Sequence, residues 1–160
     1  MPKITLPEFP VEGGCVCGAL SYRLTAPPLY IIACHCLTCQ CLSGSDYVLS
    51  MPVLREHFEV TGTVAECLRT AESGRIMPGF FCPECGTRVW HEPVFAKRSV
   101  FVRGGTLDDP SWASPIAHFW LSRKKPHVIL PPDVLGFEGQ PATKDRERLL
   151  DAWAEAVSQQ

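Results

Sequence analysis

Nine cysteines in 160 residues, eight of them crowded into C-x-C or C-x-x-C spacings, constrain this chain more than any other feature. They are Cys15, Cys17, Cys34, Cys36, Cys39, Cys41, Cys67, Cys82 and Cys85. An odd number at short spacing is a poor disulfide framework, which favours even counts, wider loops and a secreted context. Thiolates two or three residues apart are what tetrahedral zinc takes as ligands. Zinc binding is the expectation.

Phe81-Cys82-Pro83-Glu84-Cys85-Gly86-Thr87 reads as a zinc knuckle. Proline fixes the first bend, and glycine after the second cysteine tolerates positive φ, so backbone amides can turn toward the sulfurs. The knuckle supplies two ligands where tetrahedral zinc needs four. Gly13-Gly14-Cys15-Val16-Cys17-Gly18 is the best donor of the other pair, because residues i and i+2 of a strand share a face. Cys15, Cys17, Cys82 and Cys85 are therefore expected to form one closed, structural site. Cys34, Cys36 and Cys39 are expected to chelate a second metal from a single short loop. Three protein ligands leave one position free, the arrangement of catalytic zinc. A thiol entering there would ionise and become a nucleophile at neutral pH. The alternative is a second structural site closed by Cys41, His35 or a distant residue. His35, flanked by two cysteines, is expected to point away from their metal. Cys67, on a predicted strand, is expected as a small buried hydrophobe.

The remaining sequence reads as one ordinary domain. A chain of this length buries roughly 68–70% of its unfolded surface, and 46% hydrophobic with 20% charged residues excludes disorder. The formal net charge is -2, and thiolates make it more negative. Arg123, Lys124 and Lys125 form the only basic cluster and read as a solvated turn, so nucleic acid is not an expected partner. No apolar run approaches the ~20 residues of a membrane span. Residues 1–14 carry no apolar leader, and reduced thiols suit the cytoplasm, so a cytoplasmic protein without a membrane partner is expected.

Leu20, Tyr22 and Leu24 alternate with Ser21 and Arg23, which predicts a half-buried strand over 19–25. Further strands are predicted over 29–33, 46–50, 58–61, 64–70, 76–81, 88–91, 99–103, 116–121 and 127–130, with at most a helical turn near 54–57. Leu149, Leu150, Trp153 and Val157 recur at helical spacing after Asp145 and Glu147, which predicts an amphipathic helix. Fifteen prolines and twelve glycines at strand-like spacing complete a mainly β reading. Residues 1–142 are expected to form a zinc-binding β domain, with 143–160 as a helix packed on it or extending from it.

The runs Gly14-Cys15-Val16-Cys17-Gly18-Ala19, Cys34-His35-Cys36-Leu37-Thr38-Cys39-Gln40 with Ser43-Gly44, and Phe81 to Thr87 resemble the glutathione-dependent formaldehyde-activating enzyme family, which includes centromere-protein-V-like proteins. Gly105 to Pro110, His118-Phe119-Trp120 and the stretch from Leu130-Pro131 through Phe137 to Pro141 are also similar to it. The resemblance spans roughly residues 11–141. It implies a β-tent of antiparallel sheets pinned by a structural zinc on Cys15, Cys17, Cys82 and Cys85. It implies a second zinc on Cys34, Cys36 and Cys39, where the thiol of glutathione enters, hence two Zn2+ per chain. The implied activity is carbon–sulfur lyase chemistry, making or splitting S-hydroxymethylglutathione. This chain departs from its relatives in having Cys41 where a basic or polar residue is common, and His127 where tryptophan is common.

The expected function is thus a zinc-dependent carbon–sulfur lyase acting on a glutathione–aldehyde adduct or a related small thiol. Arg75, Arg88, Arg103 and Lys97 are candidate cationic groups by type, and His118 is a candidate proton carrier. The alternative is a non-enzymatic zinc-binding interaction module with two structural sites.

Overall fold

A computed structural model of the chain describes residues 2–71 and 74–158. Among these residues eleven strands occur: β1 (Val11–Gly14), β2 (Leu20–Leu24), β3 (Ile32–Cys34), β4 (Val48–Leu54), β5 (Phe58–Gly62), β6 (Ala65–Thr70), β7 (Ile76–Phe81), β8 (Arg88–His91), β9 (Ser99–Arg103), β10 (Ala117–Phe119) and β11 (Leu135–Phe137). Two α-helices accompany them, α1 (Leu37–Ser43) and α2 (Arg146–Ser158). The chain is mainly β with a C-terminal helix, as its punctuation by proline and glycine predicts. No helix among the described residues is long and apolar enough to cross a membrane.

The chain divides into two compact units. One comprises Pro7–Pro28 and Met51–Pro110. Within it β1, β2 and β5 form an antiparallel sheet. The alternation in β2 does what its pattern predicts: Leu20, Tyr22 and Leu24 are buried while Ser21 and Arg23 are exposed. Arg23 reaches Glu12 on one side and Glu59 on the other, each at 3.5 Å. Such exposed cross-strand pairs set register more than they add stability. Strands β9, β8, β7 and β6 lie side by side in that order at one end of a second sheet, with β6 at its edge. Its Trp90 ring stacks on Phe80 at 4.8 Å and meets the edge of Phe58 from β5 at 5.1 Å. Val100 and Val102 are buried in the same core. Each such side chain taken from water contributes roughly 1.5–3 kcal/mol before entropy is charged.

The other unit comprises Met1–Leu6, Leu29–Ser50 and Ser111–Gln160. Here β10 pairs with β3 and with β11, both in parallel, while β3 pairs antiparallel with β4. The pairs β1–β2, β2–β5, β3–β4, β6–β7, β7–β8 and β8–β9 are antiparallel, and β10 departs from them. A parallel partner needs a long crossover, and β3 and β10 have most of the chain between them. Helix α2 buries Leu149, Ala152, Trp153 and Ala156, a stripe at helical spacing. The stripe is rotated slightly from the predicted one: two alanines take the inner positions, and Leu150 and Val157 are only half-buried. The Ile4 N–H donates to the Ala156 carbonyl at 3.0 Å, tying the N-terminal segment to the helix.

Three expectations are corrected. Residues 127–130 are not a strand: Val128 N–H bonds to the Lys125 carbonyl at 3.1 Å in a turn, and Ile129 is 91% exposed. Prolines 126, 131 and 132 outweigh the β-branched run between them. Cys67 is exposed, not buried, because β6 is the edge strand of its sheet and pairs only with β7. The segment carrying Cys36 to Cys41 is not a loop but enters helix α1.

Candidate metal centre

Cys15 and Cys17 follow β1 in a tight turn, not on a strand face as expected. The Gly18 N–H closes the turn on the Cys15 carbonyl at 3.1 Å, and Cys15 N–H bonds to the Leu20 carbonyl at 2.8 Å. Cys82 and Cys85 sit in the knuckle after β7. There Gly86 adopts φ 74° and its N–H bonds to the Cys82 carbonyl at 2.9 Å. This is the left-handed conformation that the glycine was expected to supply. Thr87 joins the two arms: its Oγ1 lies 3.2 Å from Cys85 Sγ and accepts the Val16 N–H at 3.3 Å. Sequence reasoning missed Thr87, although its place directly after C-P-x-C-G was a visible signal.

The four Sγ atoms of Cys15, Cys17, Cys82 and Cys85 all lie within 4.8 Å of one another. Cys15 and Cys17 sulfurs are 3.5 Å apart, and Cys17 and Cys82 sulfurs 3.7 Å. Four sulfurs about 2.3 Å from a tetrahedral zinc would be about 3.8 Å from each other. The donor set therefore fits that ion in element, number and spacing. The protons tell the same story. The Thr87 hydroxyl and backbone bring Cys85 down to about 6. Burial alone would raise Cys15, but the Leu20 amide and the neighbouring thiols bring it below its usual value. Cys17 goes the other way, to about 12: the Ala19 amide favours its thiolate, but Cys15 and Cys85 outweigh it. Four such thiols cannot all ionise together without a cation among them.

The second cluster is built by a strand end and a helix start. Cys34 ends β3, and Cys36 is the N-cap of α1. Cys36 Sγ accepts the Cys39 N–H at 3.3 Å, a sulfur version of the usual hydroxyl cap. Cys39, buried in the first turn, brings the third sulfur. The Sγ atoms of Cys34, Cys36 and Cys39 lie within 4.8 Å of one another. Cys36, Cys39 and burial push the Cys34 thiol far up. Cys34 favours the Cys36 thiolate, but Cys39 and burial leave it raised too. This crowding again fits a thiophilic dication. Cys41 is exposed and outside the cluster. Two residues along a helix turn the side chain by about 200°, which sends it away from the side that holds Cys39.

The cluster is braced from behind. Gln40 Nε2 donates to the His35 carbonyl at 2.7 Å and to the Arg123 carbonyl at 2.9 Å. Ser43 Oγ donates to the Cys39 carbonyl at 2.8 Å, and Gly44 ends the helix at φ 64°. His35 turns from the sulfurs, as expected: its Nε2 is 2.9 Å from His118 Nδ1, and Tyr47 lies against its ring at 5.2 Å. Burial, then His35 and Lys124, lower His118 to about 4. Burial and Lys124 lower His35 as well.

His118 is thus neutral in the folded chain at neutral pH, but an unfolded histidine titrates near 6.5. The unfolded state binds the extra proton first as pH falls. The stability held by the neutral ring is complete above pH 6.5 and is lost between 6.5 and about 4. The loss amounts to at most ~3 kcal/mol. Acid also protonates thiolates, so the measurement is a comparison. Denaturant unfolding of metal-loaded wild type and His118→Asn at pH 7.5 and 5.0 should show a smaller acid loss in the variant. An equal loss in both removes His118 from the account.

The other sequence candidates scatter. Arg75 and Lys97 are exposed, with the Arg75 guanidinium 4.5 Å above the Phe95 ring. Arg88 and Arg103 lie on β8 and β9, and Arg103 is buried. His127 Nε2 is 2.8 Å from Asp46 Oδ2.

The family model of the glutathione-dependent formaldehyde-activating enzyme matches residues 10–123. A curated protein of Halomonas elongata, whose name as a glutathione-dependent formaldehyde-activating enzyme is itself a provisional one, is 29% identical over 85 residues. That match covers 50% of this chain and 54% of the relative, so the chain spans about half the length of the curated protein it matches. A crystal structure of a Rhodobacter sphaeroides protein aligns with 16% identity and a TM-score of 0.49, over 79% of this chain and 98% of that one. A likeness that low carries no argument about fold or site.

Proposed function

The chain belongs to the glutathione-dependent formaldehyde-activating enzyme family, and from that premise we propose that it is a zinc-dependent carbon–sulfur lyase acting on an adduct of an aldehyde with glutathione or a related small thiol. The observation that carries the reading is the incomplete second cluster. Cys34, Cys36 and Cys39 offer three sulfurs to one ion, one fewer than tetrahedral zinc takes. Exposed Cys41 is not placed to supply the fourth. Cys15, Cys17, Cys82 and Cys85 offer the full four, which makes the first cluster structural on this reading.

Zinc held by Cys34, Cys36 and Cys39 would supply the charge that keeps an added thiol ionised at neutral pH. The reaction forms a bond between that sulfur and the aldehyde carbon, and the carbonyl oxygen takes up a proton to become the adduct's hydroxyl. The reverse breaks the same bond and returns the proton. The chain's own residues hold the cluster in shape: Gln40 fixes the backbone at His35, and the Cys39 amide bonds to Cys36. His118, neutral and hydrogen-bonded to His35 on the side turned from the sulfurs, braces this segment from behind.

The test joins metal content to turnover. Purified protein should contain two zinc ions per chain and accelerate formation or cleavage of S-hydroxymethylglutathione. Protein loaded with two zincs that neither turns over the adduct nor binds glutathione at millimolar concentration would end the reading. X-ray absorption showing four protein sulfurs on both ions would instead favour the interaction module.

A further inference from the structure

Strand β6 ends its sheet, and its outer edge is open. Among the described residues it pairs only with β7, in an unbroken antiparallel register from Ala65 opposite Phe81 to Thr70 opposite Ile76. Two hydrogen bonds fix which backbone groups face outward. The Ala71 N–H donates to the Arg75 carbonyl at 2.8 Å, so Ala71 turns its polar groups toward the β7 side. The Pro78 carbonyl accepts the Glu92 N–H at 2.9 Å, so Pro78 turns toward β8, and Leu68 opposite it turns away from β7. Backbone groups alternate along a strand. Glu66, Leu68 and Thr70 therefore present their N–H and C=O groups at the free edge. All three residues are exposed, Leu68 by 64%.

An open edge of this kind is a template for another strand. Strand β6 carries no proline, no lysine and no bulge to blunt it. Ile76, opposite Thr70, lies on the same face as Leu68 and is 52% exposed. Apolar surface beside unpaired backbone offers an incoming strand both burial and hydrogen bonds.

The strand's own sequence suits a second copy of itself. Opposed residues of an antiparallel pair share a face. A two-fold axis between copies must therefore run through a residue that meets its own counterpart, not between two residues. Glu66 on the axis would oppose two carboxylates, and Arg69 two guanidinium groups, both unfavourable. Cys67 on the axis gives Glu66 and Leu68 partners but leaves Thr70 without one in the strand. Leu68 on the axis serves all three outward residues. It exchanges hydrogen bonds with its own counterpart, and Glu66 exchanges them with Thr70 of the other copy. Leucine then lies beside leucine, Cys67 faces Arg69, and no like charges meet. We propose that this chain forms a two-fold dimer by antiparallel pairing of β6 with β6 of a second copy, centred on Leu68. No cysteine of either cluster lies in β6, so the proposal stands apart from the lyase reading.

The test is the oligomeric state of zinc-loaded full-length protein with reductant present. Sedimentation equilibrium up to about 0.2 mM captures even a weak interface. Wild type should form a dimer and nothing larger, because joining the two edges closes the contact. Leu68→Lys sets two ammonium groups opposite each other and removes the apolar pair, so it should weaken the dimer about tenfold or more. Leu68→Pro removes an N–H that faces outward, so it should spare the fold and also weaken the dimer. It gives a second reading should Leu68→Lys fail to fold, with circular dichroism as the check on both. A monomeric wild type would overturn the proposal. So would a folded variant that dimerises as tightly as wild type. A tighter dimer in Leu68→Lys would overturn the register, since lysine would then face Glu66 across an axis at Cys67.

Discussion

Cys82→Ser is expected to yield no soluble, folded protein. Cys82 has no exposed surface, and its sulfur is 3.7 Å from that of Cys17. Serine keeps the shape but is a poor zinc ligand, and the other three thiols would keep their mutual crowding without full compensation. A structural zinc in a cysteine site contributes an apparent binding free energy of roughly 10–16 kcal/mol. The net stability of a whole domain is about 5–15 kcal/mol. Loss of the ion therefore removes as much as the fold has to spare. Cys15→Ser should behave the same way, since it strips the same ion from the other arm. The measurement is soluble yield, far-ultraviolet circular dichroism and zinc content. A soluble Cys82→Ser chain with a native spectrum and cooperative unfolding would show that the core alone sustains this unit.

Cys36→Ser should give the opposite result: a folded chain with one zinc fewer and turnover reduced more than about 100-fold, beyond the loss typical of outer-shell changes. The backbone here does not depend on the metal alone. The His35 N–H bonds to the Phe119 carbonyl at 3.0 Å, and Gln40 and Ser43 hold the first turn of α1. Serine is also a better N-cap than cysteine, so its hydroxyl can accept the Cys39 N–H that sulfur now takes. Metal analysis, circular dichroism and an adduct assay on one preparation decide the matter. If Cys36→Ser precipitates as Cys82→Ser does, the two clusters do not divide structure from chemistry. If it retains turnover within a few-fold, the second cluster is not where the chemistry occurs.

Much of this was legible in the residues because the controlling signals are local. The alternation of β2 specifies its buried face directly. The knuckle specifies Gly86 by its backbone need, and the cysteine spacing divides the sulfurs into the same two groups that lie within 4.8 Å in the structure. What stayed hidden depends on distant partners or on competing local signals. Pro52 masked the second half of β4, since proline donates no ladder hydrogen bond. Helix α1 was concealed because Cys36 caps it with sulfur, outside the usual set of capping residues. The parallel pairing of β10 with β3, and the His35–His118 contact across 83 residues, had no local trace. Cys67 was misjudged because residue type says nothing about whether a strand lies at the edge of its sheet.

The two sulfur clusters also differ in the length of chain they close. Cys17 and Cys82 touch across 65 positions, while Cys36 and Cys39 meet across three. Closing the longer span costs roughly 3 kcal/mol more in chain entropy. At a ribosome's pace of about 5–20 residues per second, the first pair of thiols waits several seconds for its counterpart to emerge. The short triad is complete within about a second. On the proposed assignment the reactive centre is filled early, from a nascent segment, and the structural ion closes later, as Cys85 emerges and before β8 and β9 of its own unit have followed.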